Sequence, residues 1–571
     1  FARTGLVLLG VALSLLAAGL AFRLRGLTRT GTPPRLTRAT FSPGLQEQPA
    51  FSPDGKLLAY VTDERGNLDI VVQPRGGGAP IQVAATDADE AQPAWSPDGT
   101  KIAFCSARDH GGRLNFAIGQ EALTELVDGR GGDLFIAPAL GGTAVKLVED
   151  GYYPAWSPDG KRIVFQSSRG AQWDLWTISS EGGQPTRLTQ DAEFDYQPSW
   201  SPDGRWIAYG SGLRGVTNVR AVPAAGGAPV ELTHGATFVL HPSWSPGGRS
   251  IVYSAFDNVT NVWELAVSDG RAAGSPRRIT LGAGQDVDAA VSRDGKSIAF
   301  ATTRTNGDIW ELSLPSGALR QVSSATTLEQ YPELSPDGKT LLAQSDPTGQ
   351  LAIWTLDLSG RFREQVSPGG AGGAHWSPDG RQVSYVLGGT IRIHQLGSVS
   401  GVDTGVRTTG TASFSPDGST LAFPRSDSPG LSLYTIATRA VRRLGAVPGA
   451  TGDVGDATWS GDASALVAQV QKEMTRELWI VPADGSAPRQ LTNGESEDSH
   501  PRWSSVNPDE ILFLRDHHRL CVVSVSTGRV RELPFQQDGT FFLDYPSFTR
   551  DGRRIFFSIH KKSGNIYVIE R

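Results

Sequence analysis

A string of the form Pro-x-Trp/Phe-Ser-Pro-Asp-Gly recurs along nearly the whole chain, and a fixed period of this length leaves few folds open. It reads PAFSPDG from Pro49, PAWSPDG from Pro93 and Pro154, PSWSPDG from Pro198 and PSWSPGG from Pro242. Looser copies follow from Ala289, Pro332, Ala374, Ala412, Ala457, Pro501 and Pro546, which makes twelve. From Pro53 to Arg550 is 497 residues over eleven intervals, about 45 each, with outliers of 61 (Pro97 to Pro158) and 38 (Pro378 to Pro416).

Each copy reads as four short strands. The first ends at the Trp or Phe. Ser-Pro-Asp-Gly then turns, because Pro presets φ, Asp bonds the local backbone and Gly takes the left-handed position. The second strand alternates, as in KLLAYVT and KRIVFQS. A polar turn leads to the third, as in DLWTISS, NVWELAV and DIWELSL, and a Gly-rich turn to the fourth, as in PTRLT and PVELT. Sheets this small bury both faces only by stacking radially. The expected fold is therefore all-β, a β-propeller of twelve four-stranded repeats.

The repeat resembles the TolB-type propeller repeat, a WD-repeat-like family with six blades in its prototype. The resemblance covers residues 34–571. Twelve blades exceed the common four to eight in one ring, so two six-bladed propellers in tandem are expected, over 34–318 and 319–571. Seven plus five is the alternative. The last copy stops at NIYVIER after a third strand, while the chain offers an orphan fourth strand around Leu36 and Thr37. The simplest wiring lets that strand close the sixth sheet and lets Leu319 to Val322 close the twelfth.

Residues 5–22, from Gly5 to Phe22, carry no charge and are flanked by Arg3, Arg23 and Arg25. As a helix they would span about 27 Å, near the lower limit for a bilayer core. A membrane anchor over 1–27 and a linker over 28–33 are expected, with a cleaved signal peptide as the alternative. The five arginines up to Arg35 are the only charges in the first 35 residues. Net charge is -6 overall, which argues against a nucleic-acid surface spread over the chain, and two cysteines exclude a disulfide framework. Cys105 and Cys521 read as small unpaired core residues.

Candidate sites follow from the repeat. The recurring Trp reads as packing between neighbouring sheets, and the turn aspartates, with Asp133, Asp174 and Asp308, read as turn formers. The loop entering each first strand lies at a channel mouth. It carries Glu47, Glu90, Tyr152, Tyr153, Asp195, Tyr196, His241, Asp288, Glu329 and Tyr331, and later His375, Asp456, Asp498, His500, Asp544 and Tyr545. This rim is the expected binding site for a protein or peptide partner. The histidines lack zinc-site spacing, so no metal and no cofactor are expected. Residues 114–127 have helical apolar spacing and read as an inserted amphipathic helix. No G-x-S-x-G elbow, P-loop or kinase string occurs, and His517-His518-Arg519 lacks the Asp that would follow in a kinase loop.

A non-enzymatic binding module is therefore expected, without nucleic-acid binding. The resemblance implies the sensor part of a membrane-anchored bacterial signalling protein, single-pass, with its propellers periplasmic and a kinase or winged-helix domain ahead of Phe1. The alternatives are a TolB-like envelope scaffold and a propeller enzyme using the rim acids and histidines.

Overall fold

The recurring turn is a small hydrogen-bond network. In the first copy the Ser52 hydroxyl donates to Asp54 (2.7 Å) and accepts from the Leu57 N–H (2.9 Å), while the Lys56 N–H donates to Asp54 (3.1 Å). The same pattern holds at Ser157-Asp159, Ser201-Asp203, Ser335-Asp337 and Ser377-Asp379. Such bonds favour the ionised carboxylate. The Ser460 hydroxyl and the Ser464 N–H hold Asp462 down to about 2. The turn aspartates thus serve the turns, as their context predicts.

The computed structural model describes residues 35–571 except 85, 113, 115–131, 171, 214–215, 236–237, 258, 283, 315, 324–326, 349, 426, 428, 451–453, 473–474, 494–495, 535–541 and 550. The expected anchor and linker, and the helix over 114–127 beyond Leu114, lie outside the described residues. No helix among the described residues is long and apolar enough to cross a membrane.

The described residues form antiparallel β-sheets, the build of a β-propeller. Nine sheets have four strands, one has five and one has six. In the four-stranded sheets the strands pair in chain order from first to last, and in the five-stranded one Arg277–Arg278 pairs back with Val259–Ser268. The first strands run side by side, and in five of them the Trp at the end is tied to the sheet before it. Trp95 Nε1 donates to the Ala50 carbonyl (3.0 Å), Trp156 to Ala94, Trp200 to Ala155, Trp376 to Glu333 and Trp459 to Ser413 (3.0–3.2 Å). Second and third strands supply the buried apolar layer, as in Ile102, Phe104, Leu134 and Ile163. Cys105 and Cys521 are buried free thiols within it.

The six-stranded sheet departs from the expected wiring. Strands Ser297–Ser313 and Arg554–Glu570 pair in one unbroken antiparallel ladder, from Ser297 against Glu570 to Ser313 against Arg554. At one end the ladder is flanked by Gln285–Val291 and Arg35–Arg38. At the other it is flanked by Phe542–Phe548 and Ala318–Gln321. The outer strands therefore exchange as the sequence suggests. The third strands exchange too, which the sequence reading missed. It placed a polar turn within TTRTNGD, yet Thr302 to Asp308 continue as strand. Threonines favour extended backbone, and the partner strand satisfies every N–H and C=O that a hairpin would have satisfied locally. Gly307 and Gly564 let the ladder pass close to other chain. A Cβ at Gly307 would lie 2.8 Å from the Leu328 side chain, and one at Gly564 3.1 Å from the Gln46 carbonyl.

Each end of this sheet is completed by chain from the other half. A fragment ending at Gln321 leaves Arg35–Arg38 without its partner strand and exposes the edge of Ser297–Ser313. We expect that fragment to aggregate or to lack cooperative unfolding in denaturant titration, whereas adding residues 542–571 in trans restores it. A soluble, cooperatively folded fragment without that addition would contradict the ladder.

Candidate functional site

Proline cannot donate to a sheet ladder, so the Pro of each repeat sits at a bulge. Register shifts there between Glu47 and Ala50, Ala91 and Ala94, Tyr152 and Ala155, and Tyr196 and Ser199. The residue just before the Pro takes a left-handed backbone. It is Gln48 (φ 52°), Gln92 (62°), Tyr153 (49°), Gln197 (53°) and His241 (48°), with Asp288 (59°) at the same place before Ala289. Such conformations cost roughly 1–3 kcal/mol at a non-glycine residue and persist only when the surroundings impose them.

Here the surroundings are side chains of the neighbouring sheet. The Gln92 N–H donates to Gln48 Oε1 (2.7 Å), the Tyr153 N–H to Gln92 Oε1 (2.7 Å) and the His241 N–H to Gln197 Oε1 (2.8 Å). Tyr153 offers no such oxygen to its neighbour, so the Gln197 N–H turns to Gln166 Oε1 (3.2 Å). The Gln48 N–H donates to Asp288 Oδ2 (3.1 Å), across 240 residues of sequence. These bonds step from sheet to sheet, through the second strand at Gln166, and the contact of His241 with Asp288 completes a circle of six sheets. The six side chains, with Pro49, Pro93, Pro154, Pro198 and Pro242, line a cavity of about 190 Å³.

Charge is concentrated on one side of this collar. His241 Nδ1 lies 2.7 Å from Asp288 Oδ1, and the His241 ring is 5.3 Å from the Tyr153 ring. Burial alone would raise the Asp288 carboxyl, but His241, Lys562 and the Gln48 N–H together hold it below the usual range. Glu47 stands next to it and pairs with Lys562 of the long ladder. Burial pushes Glu47 up against the pull of Lys562, and Asp288 adds to the rise. Burial also pushes the Tyr153 phenol up, with Asp288 contributing.

The later repeats fill the equivalent space. Tyr331, His500 and Tyr545 take the same left-handed position. The Tyr331 and Tyr545 rings meet edge to face at 4.0 Å, and His500 lies 4.0 Å from Tyr545. His500 Nε2 is 3.4 Å from Asp544 and 3.7 Å from Asp456, and His375 Nδ1 is 2.7 Å from Glu333. Only about 10 Å³ remains open beside them. Among the described residues no three His, Cys, Asp or Glu side chains gather to hold a metal ion.

The rim residues read from sequence therefore separate into three groups. Tyr153, His241 and Asp288 stand in the open collar, with Glu47 adjoining. Tyr331, His375, Asp456, His500, Asp544 and Tyr545 surround the filled space. Glu90, Tyr152, Asp195, Tyr196, Glu329 and Asp498 are buried and line neither space. Glu90 pairs with Arg108 (2.5 Å) and Asp498 with Arg515 (2.7 Å), while Asp195 accepts from Ser211 (2.6 Å). Glu329 accepts from Thr327 (2.9 Å), the Tyr152 hydroxyl accepts from the Gly132 N–H (2.9 Å) and the Tyr196 hydroxyl donates to the Val239 carbonyl (3.1 Å). The sequence reading missed Gln48, Gln92, Gln197 and Lys562. The first three carry a visible signal, their place immediately before the repeated Pro.

Burial pushes Asp195 up to about 7 despite the Ser211 bond, and Glu90 up to about 7 despite Arg108. A carboxyl raised in this way binds its proton more tightly folded than unfolded. Its stabilising contribution is present at low pH and is lost as pH rises from the ordinary value of about 4 to about 7. Asp195→Asn, which stays neutral, should be more stable than the parent at pH 8 by about 1–3 kcal/mol, with the gain shrinking by pH 5. Urea unfolding at the two pH values reads the difference; a loss of stability equal at both would contradict it.

Residues 146–273 match the family model for the TolB beta propeller domain. Over 150 residues the chain is 28% identical to an uncharacterized protein of Agrobacterium fabrum, covering 26% of this chain and 44% of that one. Over 79 residues it is 37% identical to the Tol-Pal system protein TolB of Anaeromyxobacter dehalogenans, covering 14% of this chain and 17% of that one. The chain thus spans less than half the length of either curated relative. Among solved structures, a putative TolB from Agrobacterium tumefaciens matches 46% of this chain and 93% of its own, at 23% identity and a TM-score of 0.37. The residues that match the TolB beta propeller model, 146–273, include the collar residues Gln197 and His241.

Proposed function

We propose that the chain is a TolB-like scaffold of the bacterial envelope that binds a protein or peptide partner at the collar of Gln48, Gln92, Tyr153, Gln197, His241 and Asp288. The observation that carries this reading is the contrast between the two axial spaces, about 190 Å³ open in one and about 10 Å³ in the other. Rigid loops around an open axial cavity suit recognition.

The reading includes two six-bladed rings in tandem. The circle of bonds from Gln48 back to Asp288 passes through six sheets, and the Tyr331–Tyr545 contact joins the seventh repeat to the twelfth; both favour six plus six over seven plus five. Residues 34–318 and 319–571 supply most of each ring, with the long ladder shared. An extracytoplasmic location, with residues 5–22 as the membrane span, belongs to the same proposal. The relatives' names speak of TolB and of the Tol-Pal system, and the family model of a propeller. A signalling sensor has less behind it. We read the site as non-enzymatic because its polar groups hold one another in place: Asp288 engages both His241 and the Gln48 N–H.

A photo-crosslinking residue at Gln197 of the full chain, expressed in its native envelope, should trap a discrete protein adduct. The same residue at Arg502, beside the filled space, should trap none. Equal adducts from both positions, or none from Gln197, would overturn the reading.

A further inference from the structure

We infer that the first ring rests on an anionic lipid surface through its Ser-Pro-Asp-Gly turns, with the collar facing away from the membrane. This deepens the proposed envelope location and rests on the reading of residues 5–22 as a membrane span.

The six turns of the first ring lie together at one end. A Cβ at Gly99 would lie 3.5 Å from Pro53 of the preceding turn, and at Gly160, Gly204, Gly248 and Gly295 the same contact is 3.8–3.9 Å. Arg293 stands where the other turns have Pro, and its guanidinium donates to the Pro97 carbonyl (3.3 Å), so the sixth turn also touches the second. Each turn presents an exposed cation just after its Gly: Lys56, Lys101, Lys161, Arg205, Arg249 and Lys296. Arg162 and Arg293 are exposed beside them. Against these stand the turn aspartates Asp54, Asp98, Asp159, Asp203 and Asp294. Lys56 and Arg205 pair with theirs, whereas Lys101, Lys161, Arg249 and Lys296 have no ion-pair partner among the described residues.

The opposite end, where the first strands begin, has the other sign. Its loops carry Asp63, Glu64, Asp87, Glu149, Asp191 and Glu193. Arg65, Arg108 and Arg169 there are tied to Asp69, Glu90 and the Glu149 carbonyl, and Arg304 and Lys561 are exposed. The balance is acidic, and the whole chain carries -6. An anionic surface therefore repels every pose except the one that offers the turns. The second ring does not repeat the basic belt, since Ser419 and Ser464 hold the cation's place in two of its turns.

The chain also enters the first ring at the basic end. Arg35 pairs with Glu570 and Glu570 with Ser297, whose carbonyl accepts the Ser292 N–H and so closes the sixth turn. Residues 23–34 separate Arg35 from the uncharged stretch, a reach of at most about 40 Å, and Arg23, Arg25 and Arg29 lie among them. A tether of that length keeps the turns near lipid headgroups at high effective concentration, which favours lipid over an acidic protein as the occupant. Lys and Arg within a Debye length of an anionic leaflet are attracted to it.

Cys105 and Cys521 are buried, so a dye on an introduced cysteine reports one place. Ala225→Cys puts it in an exposed turn at the basic end, after Val216–Pro223, and Ala192→Cys in an exposed loop at the acidic end. The full chain is reconstituted in vesicles of phosphatidylcholine, alone or mixed equally with phosphatidylglycerol, that carry a headgroup-labelled energy acceptor. In mixed vesicles at about 0.1 M salt, transfer from position 225 should exceed that from position 192 about twofold or more. The gap should close without phosphatidylglycerol, at about 1 M salt, and in Lys101→Glu/Lys161→Glu, and should persist in Lys339→Glu of the second ring. Arg249→Glu serves if the double variant fails to fold by circular dichroism. Equal transfer from both positions in mixed vesicles, or more from position 192, overturns the inference, as does a gap that ignores both lipid charge and salt. Release of the chain by alkaline carbonate removes the membrane-span reading instead. Flotation of fresh chain added to preformed vesicles then decides: binding that needs phosphatidylglycerol and low salt supports docking, and no binding overturns it.

Discussion

Seventeen residues of unbroken pairing between Ser297–Ser313 and Arg554–Glu570 hold the two halves of the chain in one sheet. At about 3.3 Å per residue the ladder runs roughly 56 Å, against a usual strand of about 17–20 Å. First strands begin beside its centre from both directions, Gln285 against Thr303 and Phe542 against His560. Lys562, two residues beyond His560, then reaches Glu47 and the open collar. The ladder therefore positions both axial clusters as well as joining their sheets.

The collar shows how a repeat can be turned to a specific purpose without changing its fold. Proline suits the bulge, which Ala289 keeps without it, and the left-handed residue there sends its side chain from the sheet to the axis. The backbone is the same at Gln197 and at Tyr545. Three glutamines line an axial space that stays open. Two tyrosines and a histidine close the equivalent space with aromatic contacts. The difference lies entirely in side chains that the local backbone does not dictate.

This explains what was readable in the sequence. The Ser-Pro-Asp-Gly turns and the Trp packing depend on contacts within five residues or on one neighbouring sheet, so Ser52, Asp54 and Trp95 disclose their roles at once. The exchange of outer strands followed from counting, because Leu36 and Leu319 were surplus where they stood. The exchange of third strands did not, since TTRTNGD is as good a turn as it is a strand until a partner 250 residues away is considered. Among the rim residues, Glu90 and Asp195 misled because an acid near a channel mouth resembles a ligand whichever way its strand faces. The glutamines neither titrate nor stack, so their chemistry alone does not mark them, while the collar is held together through their amides.

The ladder also orders events during synthesis. Residues 35–38 and the first five sheets leave the ribosome well before their closing partner, residues 564–570. At about 5–20 residues per second the gap from Thr303 to Glu570 lasts on the order of tens of seconds. Throughout that time the growing chain carries the open edge of Ser297–Ser313 and an unpaired Arg35–Arg38, the kind of edge that recruits stray strands. Neither circle of sheets can close before residues 554–570 have been made. A chain wired in this way has a single moment of completion, and until then it depends on whatever holds nascent edges apart.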